Sequence, residues 1–203
     1  PAMGMFTSSV RGDTSTLLGQ AYLEYKSSMA DVKVGRQILN TPLTKIKWSL
    51  MPNFYEAGIA TLKPTKGLSL TAAHIYGMSY GSRSATDWKV VGETTKTAGV
   101  VNPTIAQAGA TKREQAAFLN IGSAAGLNRT YGITALNVTY KMGKDLKVSI
   151  WDYYAHNIAN SIYADVVYKV PVMKGTKLAL SAQYLNQSEI GDKLAGELNF
   201  SMY

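Results

Sequence analysis

The chain has 203 residues, 46% of them hydrophobic, and it contains no cysteine. Without cysteine it cannot form a disulfide scaffold or a thiolate metal site, and without an apolar run of about eighteen residues it cannot form a transmembrane helix. The 21 basic and 13 acidic residues give a net charge of +8, which fits an anionic surface or anionic solutes as partners. Nucleic acid is not expected, because the lysines are spread along alternating segments and form no basic run.

The amino-terminal part predicts a flexible end followed by two strands. Residues 1–15 are mostly small and polar, so we expect them to be flexible. From Leu17 to Met29, apolar and polar residues alternate with the period of a half-buried strand. A second alternating segment, from Asp31 to Leu39, follows a tight turn. Arg36 falls on its apolar side by strict counting, so we expect a bulge near Gly35 or an interfacial position for this side chain.

A long loop and a hairpin should come next. Residues 40–53 break the alternation with two prolines, which predicts an irregular connection. This loop carries Lys45 and Lys47. Two strands, Phe54 to Lys63 and Leu68 to Tyr80, are then expected on either side of a short turn.

The segment 81–131 lacks regular alternation over about fifty residues, a length of loop that is rare in compact soluble domains. Arg113 to Leu119 could form a short helix, and Phe118 to Leu127 could form a weak strand. Short and longer connections alternate along the rest of the chain, however, and a full strand at Phe118 would break that order. We therefore assign the whole segment to a loop.

The carboxy-terminal part contains the clearest pattern. After a strand from Gly132 to Met142, the segment from Leu146 to Lys169 predicts a hairpin with aliphatic residues and tyrosines on one face and polar residues on the other. Between Ala155 and Ser161 we expect one of the longer loops. Two further strands are predicted, Lys177 to Gln187 and Lys193 to Tyr203.

Together these segments predict an all-β fold of about nine antiparallel strands with short turns at one end and long loops at the other, as in outer-membrane barrels. Only a closed barrel satisfies every backbone group of strands in lipid. We therefore predict a transmembrane antiparallel up-and-down β-barrel in the bacterial outer membrane. Residues 1–203 would form a single barrel domain or a barrel fragment, with 40–53 and 81–131 as long outer loops. Since nine is an odd number, we expect the strands to belong to a larger barrel.

Several motifs then resemble one family, the OprD family of outer-membrane porins. Four motifs are similar to its strand and constriction loop: Val34-Gly35-Arg36-Gln37, Thr41-Pro42-Leu43, Leu50-Met51-Pro52-Asn53 and Glu56. Others resemble later hairpins of the family, in the same order: Trp151-Asp152-Tyr153-Tyr154, Tyr163-Ala164-Asp165, Ala182-Gln183-Tyr184 and Gly191-Asp192. The chain departs from the family at Asn40, where an acidic residue is frequent, and at Lys47-Trp48-Ser49, where an arginine is common.

The resemblance implies a diffusion channel of roughly eighteen strands, of which this chain would supply about the middle half. Interior basic residues of that family guide small carboxylate-bearing solutes past a narrow eyelet, and lysines along a water-filled bore raise the local concentration of anions. The pore-lining, solute-guiding candidates are Lys33, Arg36, Lys45, Lys47, Lys141, Lys147, Asp165, Lys169 and Lys177. Any single one of these lysines could equally do no more than solvate a polar surface and balance a nearby acid.

The sequence offers little for catalysis. The only histidines, His74 and His156, lie far apart in the sequence without a carboxylate at ligand spacing, so we expect no metal site, no cofactor and no enzyme. Two alternatives stay open: a soluble β-sandwich binding module, which would bury the apolar face against a second sheet, and an outer-membrane adhesin or structural barrel without transport. The expected partners are outer-membrane lipid and small anionic or zwitterionic solutes, and the sequence is compatible with a homo-oligomer.

Overall fold

The structure, a computed structural model, describes residues 18–45, 52–79, 118–124, 127, 129–173, 176–194 and 199–202. Its strands are β1 (Ala21–Lys26), β2 (Ala30–Gln37), β3 (Phe54–Thr65), β4 (Leu68–Ser79), β5 (Leu119–Asn120), β6 (Ile133–Met142), β7 (Leu146–Ala155), β8 (Ala159–Met173), β9 (Thr176–Glu189) and β10 (Asn199–Met202). One helical turn, α1 (Ile121–Ala124), follows β5. The expected flexible end 1–15 and most of the expected loop 81–131 lie outside the described residues.

The ten strands form one sheet in the order β1-β2-β3-β4-β6-β7-β8-β9-β10, with β5 paired to β4. Apart from the two-residue β5, each strand pairs with its neighbour in the chain, which is the up-and-down order that was predicted. The connections at one end have two or three residues: 27–29, 66–67, 143–145 and 174–175. At the other end, 38–53 and 80–132 are much longer. The predicted alternation of short and long connections is therefore largely present.

One predicted long loop is wrong. The segment from Ala155 to Ser161 contains only a three-residue turn at 156–158, because β7 continues to Ala155 and β8 begins at Ala159. Asn157 adopts a positive φ of 60° in this turn, a conformation that asparagine tolerates better than most residues. The side-chain pattern did not reveal the turn, since polar residues at the end of a strand look like loop residues.

The chain contains two compact units. Unit 1 comprises Pro1–Leu23, Val34–Ala57 and Ile75–Gly132, and unit 2 comprises Glu24–Lys33, Gly58–His74 and Ile133–Tyr203. Unit 2 contains a small apolar cluster made of buried Ala73, Ala135 and Tyr153, with Trp151 among the half-buried residues that pack against it. The rings of Trp151 and Tyr153 stack with centroids 5.4 Å apart.

The short strand β5, which precedes β6, pairs with β4. Within unit 1, Asn120 lies opposite Gly77 of β4, and its side chain forms hydrogen bonds with Gly122 and Thr130. Its Oδ1 accepts hydrogen bonds from the amides of Gly122 and Thr130, at 3.0 and 2.9 Å, and its Nδ2 donates to the carbonyl of Thr130 at 2.9 Å. Only two residues, Leu119 and Asn120, pair with β4 before a helical turn begins. The sequence around β5 therefore shows only a weak strand pattern.

The register of β6, β7, β8 and β9 gives this part of the sheet two chemically different faces. Partners across an antiparallel ladder point to the same side, so Val138, Ile150 and Ala164 share one face. We name this side the apolar face: Leu136, Val138, Tyr140, Ile150, Ile162, Tyr168, Leu178, Leu180 and Tyr184. The polar face carries Asn137, Thr139, Lys141, Lys147, Ser149, Asp165, Lys169, Lys177, Ser181 and Gln183.

Burial of the two faces is the reverse of that in a water-soluble domain. On β6 and β7 the apolar Leu136, Val138 and Ile150 are 50 to 51% exposed, whereas the polar Asn137 and Ser149 are 6% and 2% exposed. In water, the exposed aliphatic rows would leave a large apolar patch that monomeric soluble proteins avoid. The arrangement is that of a strand whose apolar side meets lipid.

The last strand differs from the simple alternation. Phe200 and Met202 of β10 lie opposite Gln187 and Leu185, so they share the side of Gln187 and not that of the apolar face. Asn186 lies opposite Ser201 and donates a hydrogen bond to its hydroxyl at 3.0 Å. The register between β9 and β10 therefore decides on which face of the sheet Phe200 and Met202 lie.

Candidate functional site

Lys147 and Asp165 form the centre of the polar face in unit 2. Lys147 Nζ donates to Asp165 Oδ2 at 3.0 Å, and the two side chains are 43% and 11% exposed. They are diagonal neighbours, because Lys147 lies opposite Val167 and Ser149 lies opposite Asp165. The predicted counter-charge thus pairs with one specific lysine.

Three more of the predicted lysines lie on this face, close to the short connections. Lys141 lies directly opposite Lys147 across β6 and β7. Lys177 forms an ion pair with Asp145, and Lys169 donates its backbone N–H to the carbonyl of Asp145 at 2.8 Å. In the described part of the chain, the ammonium groups of Lys141 and Lys169 make no ion pair, which leaves this end of the face with excess positive charge.

A network of uncharged side chains occupies the middle of the polar face. Asn137 Nδ2 donates to Ser149 Oγ at 3.0 Å and to the carbonyl of Ile150 at 2.8 Å. Thr139 Oγ1 donates to Asn137 Oδ1 at 3.0 Å. Since buried polar groups are costly unless they are paired, the network allows amide and hydroxyl groups to fill this face without apolar packing.

Lys33 is the candidate on β2 that belongs to unit 2. Its Nζ lies 2.9 Å from Glu24 Oε1, and the same carboxylate oxygen lies 3.0 Å from Lys26 Nζ. One carboxylate oxygen thus pairs with two lysines. Sequence reasoning placed Lys33 on the polar side but did not identify Glu24, although both Glu24 and Lys26 follow the same alternation phase of β1.

In unit 1, Arg36 pairs with Glu56. Arg36 Nε donates to Glu56 Oε1 at 2.9 Å, and the guanidinium carbon lies 4.3 Å from the centroid of the Phe118 ring. Gly35, just before Arg36, has a φ of 129°, which only glycine adopts without strain. An ideal Cβ there would lie 2.4 Å from the carbonyl oxygen of Ala21. The irregularity expected near Gly35 is therefore real, and it precedes a half-buried Arg36.

Lys45 follows a tightly bonded turn of unit 1. The hydroxyls of Thr41 and Thr44 are 2.9 Å apart, Thr44 Oγ1 donates to the carbonyl of Leu39 at 3.0 Å, and Lys45 donates its backbone N–H to the carbonyl of Thr41 at 3.0 Å. Tyr55 Oη donates to the carbonyl of Thr44 at 3.2 Å. Lys45 itself is exposed, and Lys47 lies outside the described residues.

The two histidines, which are far apart in the sequence, come together in unit 2. His74 Nδ1 and His156 Nε2 lie 3.2 and 3.0 Å from the hydroxyl oxygen of Thr134. The ring of Tyr154 contacts His156 edge-on at 4.9 Å. The hydroxyl of Thr134 thus bridges the two imidazoles, and within the described residues no three histidine, aspartate or glutamate side chains are grouped as metal ligands would be.

The residues that sequence reasoning missed are the partners of the cations. Glu24, Asp145 and Phe118 were not candidates, and Glu56 entered only as part of a family motif. An acidic residue outside the strand of its cation gives no local signal, because its partner depends on which strands pair and in which register. No helix among the described residues is long and apolar enough to cross a membrane.

Solved structures of outer-membrane β-barrel porins have the same fold as this chain. OpdL of Pseudomonas aeruginosa matches with a TM-score of 0.62 at 14% identity, over 89% of this chain and 41% of that one. OccD3 (OpdP) of the same organism matches with a TM-score of 0.62 at 18% identity, over 91% and 38%. A BenF-like porin from Pseudomonas fluorescens Pf-5 matches with a TM-score of 0.62 at 15% identity, over 88% and 38%. The chain thus spans about two fifths of the length of these structures.

The family model for outer membrane porins of the OprD family matches residues 11–203, and the chain belongs to that family. No curated protein matches the chain significantly. The predicted family, barrel fold and bacterial outer-membrane location are confirmed. The soluble β-sandwich alternative is wrong, because the fold is that of the porins.

Proposed function

We propose that the protein contributes to a passive diffusion channel for small hydrophilic solutes that carry a carboxylate, without catalysing a reaction. The proposal rests on the burial of the two sheet faces, which is the reverse of that in a water-soluble protein. Aliphatic residues of the apolar face are exposed, whereas hydrogen-bonded residues of the polar face are buried. In a membrane barrel, the apolar side faces lipid and the alternate side faces an interior that is polar or water-filled. The polar face of unit 2 is the candidate for that interior.

Charge on this face favours anions. Four lysines on four successive strands, Lys141, Lys147, Lys169 and Lys177, outnumber the two carboxylates that pair with them in the described part of the chain, Asp145 and Asp165. A surplus of positive charge beside a water-filled passage raises the local concentration of anionic solutes, and the effect weakens as salt screens the field. Lysine makes a hydrated point-charge contact without the bidentate fork of arginine, so these lysines would attract carboxylates without holding them tightly.

Conductance across planar lipid bilayers tests the proposal. We expect discrete channel openings and a reversal potential in a KCl gradient that shows preference for chloride over potassium. Replacing both Lys141 and Lys169 by glutamine should shift this potential toward cation preference, since neither ammonium forms an ion pair in the described part of the chain. Lys193→Gln, which removes one lysine from the connection after β9 where it pairs with Glu189 at 3.1 Å, serves as a comparison and should shift the potential less.

The alternative function is a barrel that serves as an adhesin or structural protein without transport. Absence of channel openings from folded, membrane-inserted protein would support it and would overturn the proposal. Openings whose ion preference is unchanged in the double lysine variant would leave a channel but remove the role of these lysines.

A further inference from the structure

The side of the sheet that carries the apolar face changes its chemistry near one end of unit 2. Across β6 to β9, three successive rows of this side contain only aliphatic, methionine and aromatic side chains, and the last of them is Val138, Ile150, Ala164 and Tyr184. Two rows further from the short connections, every residue is polar. We name this the outward polar row: Thr134, Tyr154, Asn160, Ser188 and Asn199.

Asp152 lies on the same side, in the row between these two. Its partners across β6 and β8 are Leu136 and Ile162, which are 51% and 40% exposed. A charged side chain on the lipid-facing side of a barrel is destabilising to an extent that depends on its depth. A carboxylate between two exposed aliphatic residues therefore calls for a functional explanation.

Two side-chain oxygens at this end of the sheet lack a hydrogen-bond donor. Asp152 Oδ1 and Asn160 Oδ1 are both shielded from solvent and have no partner. On the polar face, by contrast, Asn137, Thr139 and Ser149 form hydrogen bonds with one another. A buried acceptor without a donor costs free energy. Because the terminal torsions of aspartate and asparagine are soft, either group can turn toward a ligand that brings donors.

Aromatic rings border the outward polar row at its β6 end. Tyr154 is 41% exposed, and its ring contacts that of His156 edge-on with the centroids 4.9 Å apart. The rings of His74 and His156 have centroids 6.2 Å apart, and both imidazoles are hydrogen-bonded to the hydroxyl of Thr134. Tyrosine and histidine combine an apolar ring with a polar tip, so they suit a ligand that presents both C–H groups and hydroxyls.

The position and the width of this surface limit what can bind to it. Long loops of outer-membrane barrels lie on the extracellular side, so the outward polar row lies at the level of the outer lipid headgroups. From β6 to β10 it crosses four strand spacings, or roughly 19 Å, which is wider than one simple phospholipid headgroup. A phosphate group here would meet the carboxylate of Asp152, and none of the row's residues is a lysine or an arginine.

We propose that the outward polar row and Asp152 bind the sugar headgroup of a glycolipid, whose acyl chains lie along the neighbouring apolar rows. Sugar hydroxyls both donate and accept hydrogen bonds, so they supply the donors that Asp152 and Asn160 lack. The C–H surface of a sugar ring packs against Tyr154. This inference goes beyond the proposed channel function and does not depend on the transport of any solute.

Native mass spectrometry of the protein in detergent, with one lipid added at a time, tests the proposal. Digalactosyl diacylglycerol, phosphatidylglycerol and phosphatidylethanolamine with the same acyl chains differ only in their headgroups. We expect the wild type to bind the digalactosyl lipid at least about fivefold more tightly than the other two, as for one additional hydrogen bond.

Two variants remove separate contacts with the sugar. Asp152→Asn should weaken binding of the digalactosyl lipid about five- to tenfold, as for replacement of a charge-assisted hydrogen bond by a neutral one. Tyr154→Leu should weaken it about fivefold through loss of the ring and its hydroxyl. Neither variant should weaken the binding of phosphatidylglycerol.

Two control variants make the same chemical changes elsewhere. Tyr168→Leu removes a tyrosine that is 47% exposed on the same side of the sheet, at the level of Leu146. Asp192→Asn removes a carboxylate from the exposed connection after β9. Both should bind the digalactosyl lipid like the wild type, and circular dichroism in detergent establishes that the strands of every variant are formed.

Equal affinity of the wild type for the three lipids would overturn the proposal, and so would unchanged binding of the digalactosyl lipid by folded Asp152→Asn and Tyr154→Leu. A preference for phosphatidylethanolamine that Asp152→Asn abolishes would overturn the sugar in favour of an ammonium headgroup. A lipid-free dimer that Asp152→Asn dissociates would identify a second copy of the chain as the occupant and would also overturn it. Selective binding of the digalactosyl lipid by a wild type without channel activity would support the site although the channel function had failed.

Discussion

Lys147 and Asp165 form an ion pair of 3.0 Å between diagonal positions of β7 and β8. The carboxylate is 11% exposed and the ammonium 43%, so the pair lies at the border between the packed sheet and the open side of the polar face. In the proposed channel, Asp165 would therefore limit how much of the lysine charge acts on passing ions.

Removing this carboxylate should increase anion preference. In Asp165→Asn, Lys147 loses its partner and the polar face gains one positive charge, so we expect the chloride-to-potassium permeability ratio to rise about two- to threefold at low salt. The stability cost should stay at or below about 1 kcal/mol, since a partly exposed pair contributes little. The reversal potential in a KCl gradient is the measurement.

Asp192→Asn provides the control for this change in charge. Asp192 lies in an exposed connection and accepts a hydrogen bond from Asn157 at 2.9 Å, so its loss removes the same charge away from the polar face. An equal shift of the reversal potential in both variants would contradict a local role for Asp165.

An arginine should destabilise the protein more on the apolar face of β9 than on its polar face. Leu180 and Ser181 are consecutive, and they lie opposite Tyr168 and Val167 on the apolar and polar faces. An arginine on a lipid-facing strand position costs about 2 to 4 kcal/mol near the bilayer midplane, whereas the polar face already carries lysines. Leu180 lies at the level of Leu146, the first residue of β7, where the cost is smaller than at the midplane. We therefore expect Leu180→Arg to lower the free energy of unfolding in lipid vesicles by about 1 to 2 kcal/mol and Ser181→Arg to change it by less than about 0.5 kcal/mol. Urea titration of tryptophan fluorescence measures both, and equal losses would show that the faces are assigned wrongly.

The amide of Asn137 should be important for folding. It is 6% exposed and joins Ser149, Thr139 and the carbonyl of Ile150. Asn137→Ala would leave these groups partly unpaired, which costs about 1 to 3 kcal/mol. Asn186→Ala is the comparison, because the Asn186 amide makes its hydrogen bonds in an exposed position and should cost no more than about 0.5 kcal/mol. Similar losses in the two variants would argue against a structural role for the buried network.

Gly35 should not tolerate alanine. Gly35 and Gly143 both have positive φ angles, of 129° and 62°, but a Cβ on Gly35 would lie 2.4 Å from the backbone of Ala21, whereas one on Gly143 would have nothing within 4 Å. We expect Gly143→Ala to cost about 1 kcal/mol from backbone strain alone and Gly35→Ala to cost about 3 kcal/mol or to prevent folding. Urea titrations of the two variants under the same conditions test the difference, and equal costs would exclude the contact with Ala21 as its cause.

The sequence by itself determined which residues share a face within a strand. Successive residues of a strand point to opposite sides, so the alternation of Leu146, Val148 and Ile150 with Lys147 and Ser149 was enough to predict the two faces of β7. The nine longer strands and most short turns followed from the same local rule. The OprD-like motifs added the family, which neither composition nor alternation could provide.

Only the tertiary structure decided which residues meet across strands. The pairs Lys147 with Asp165 and Arg36 with Glu56, the threonine bridge between His74 and His156, and the side on which Phe200 lies all depend on register between segments distant in the sequence. Alternation has a period of two whatever the neighbouring strand is, so it carries no information about register. Strand pairing and turn length supply that information, and they determine which cations lie beside a carboxylate.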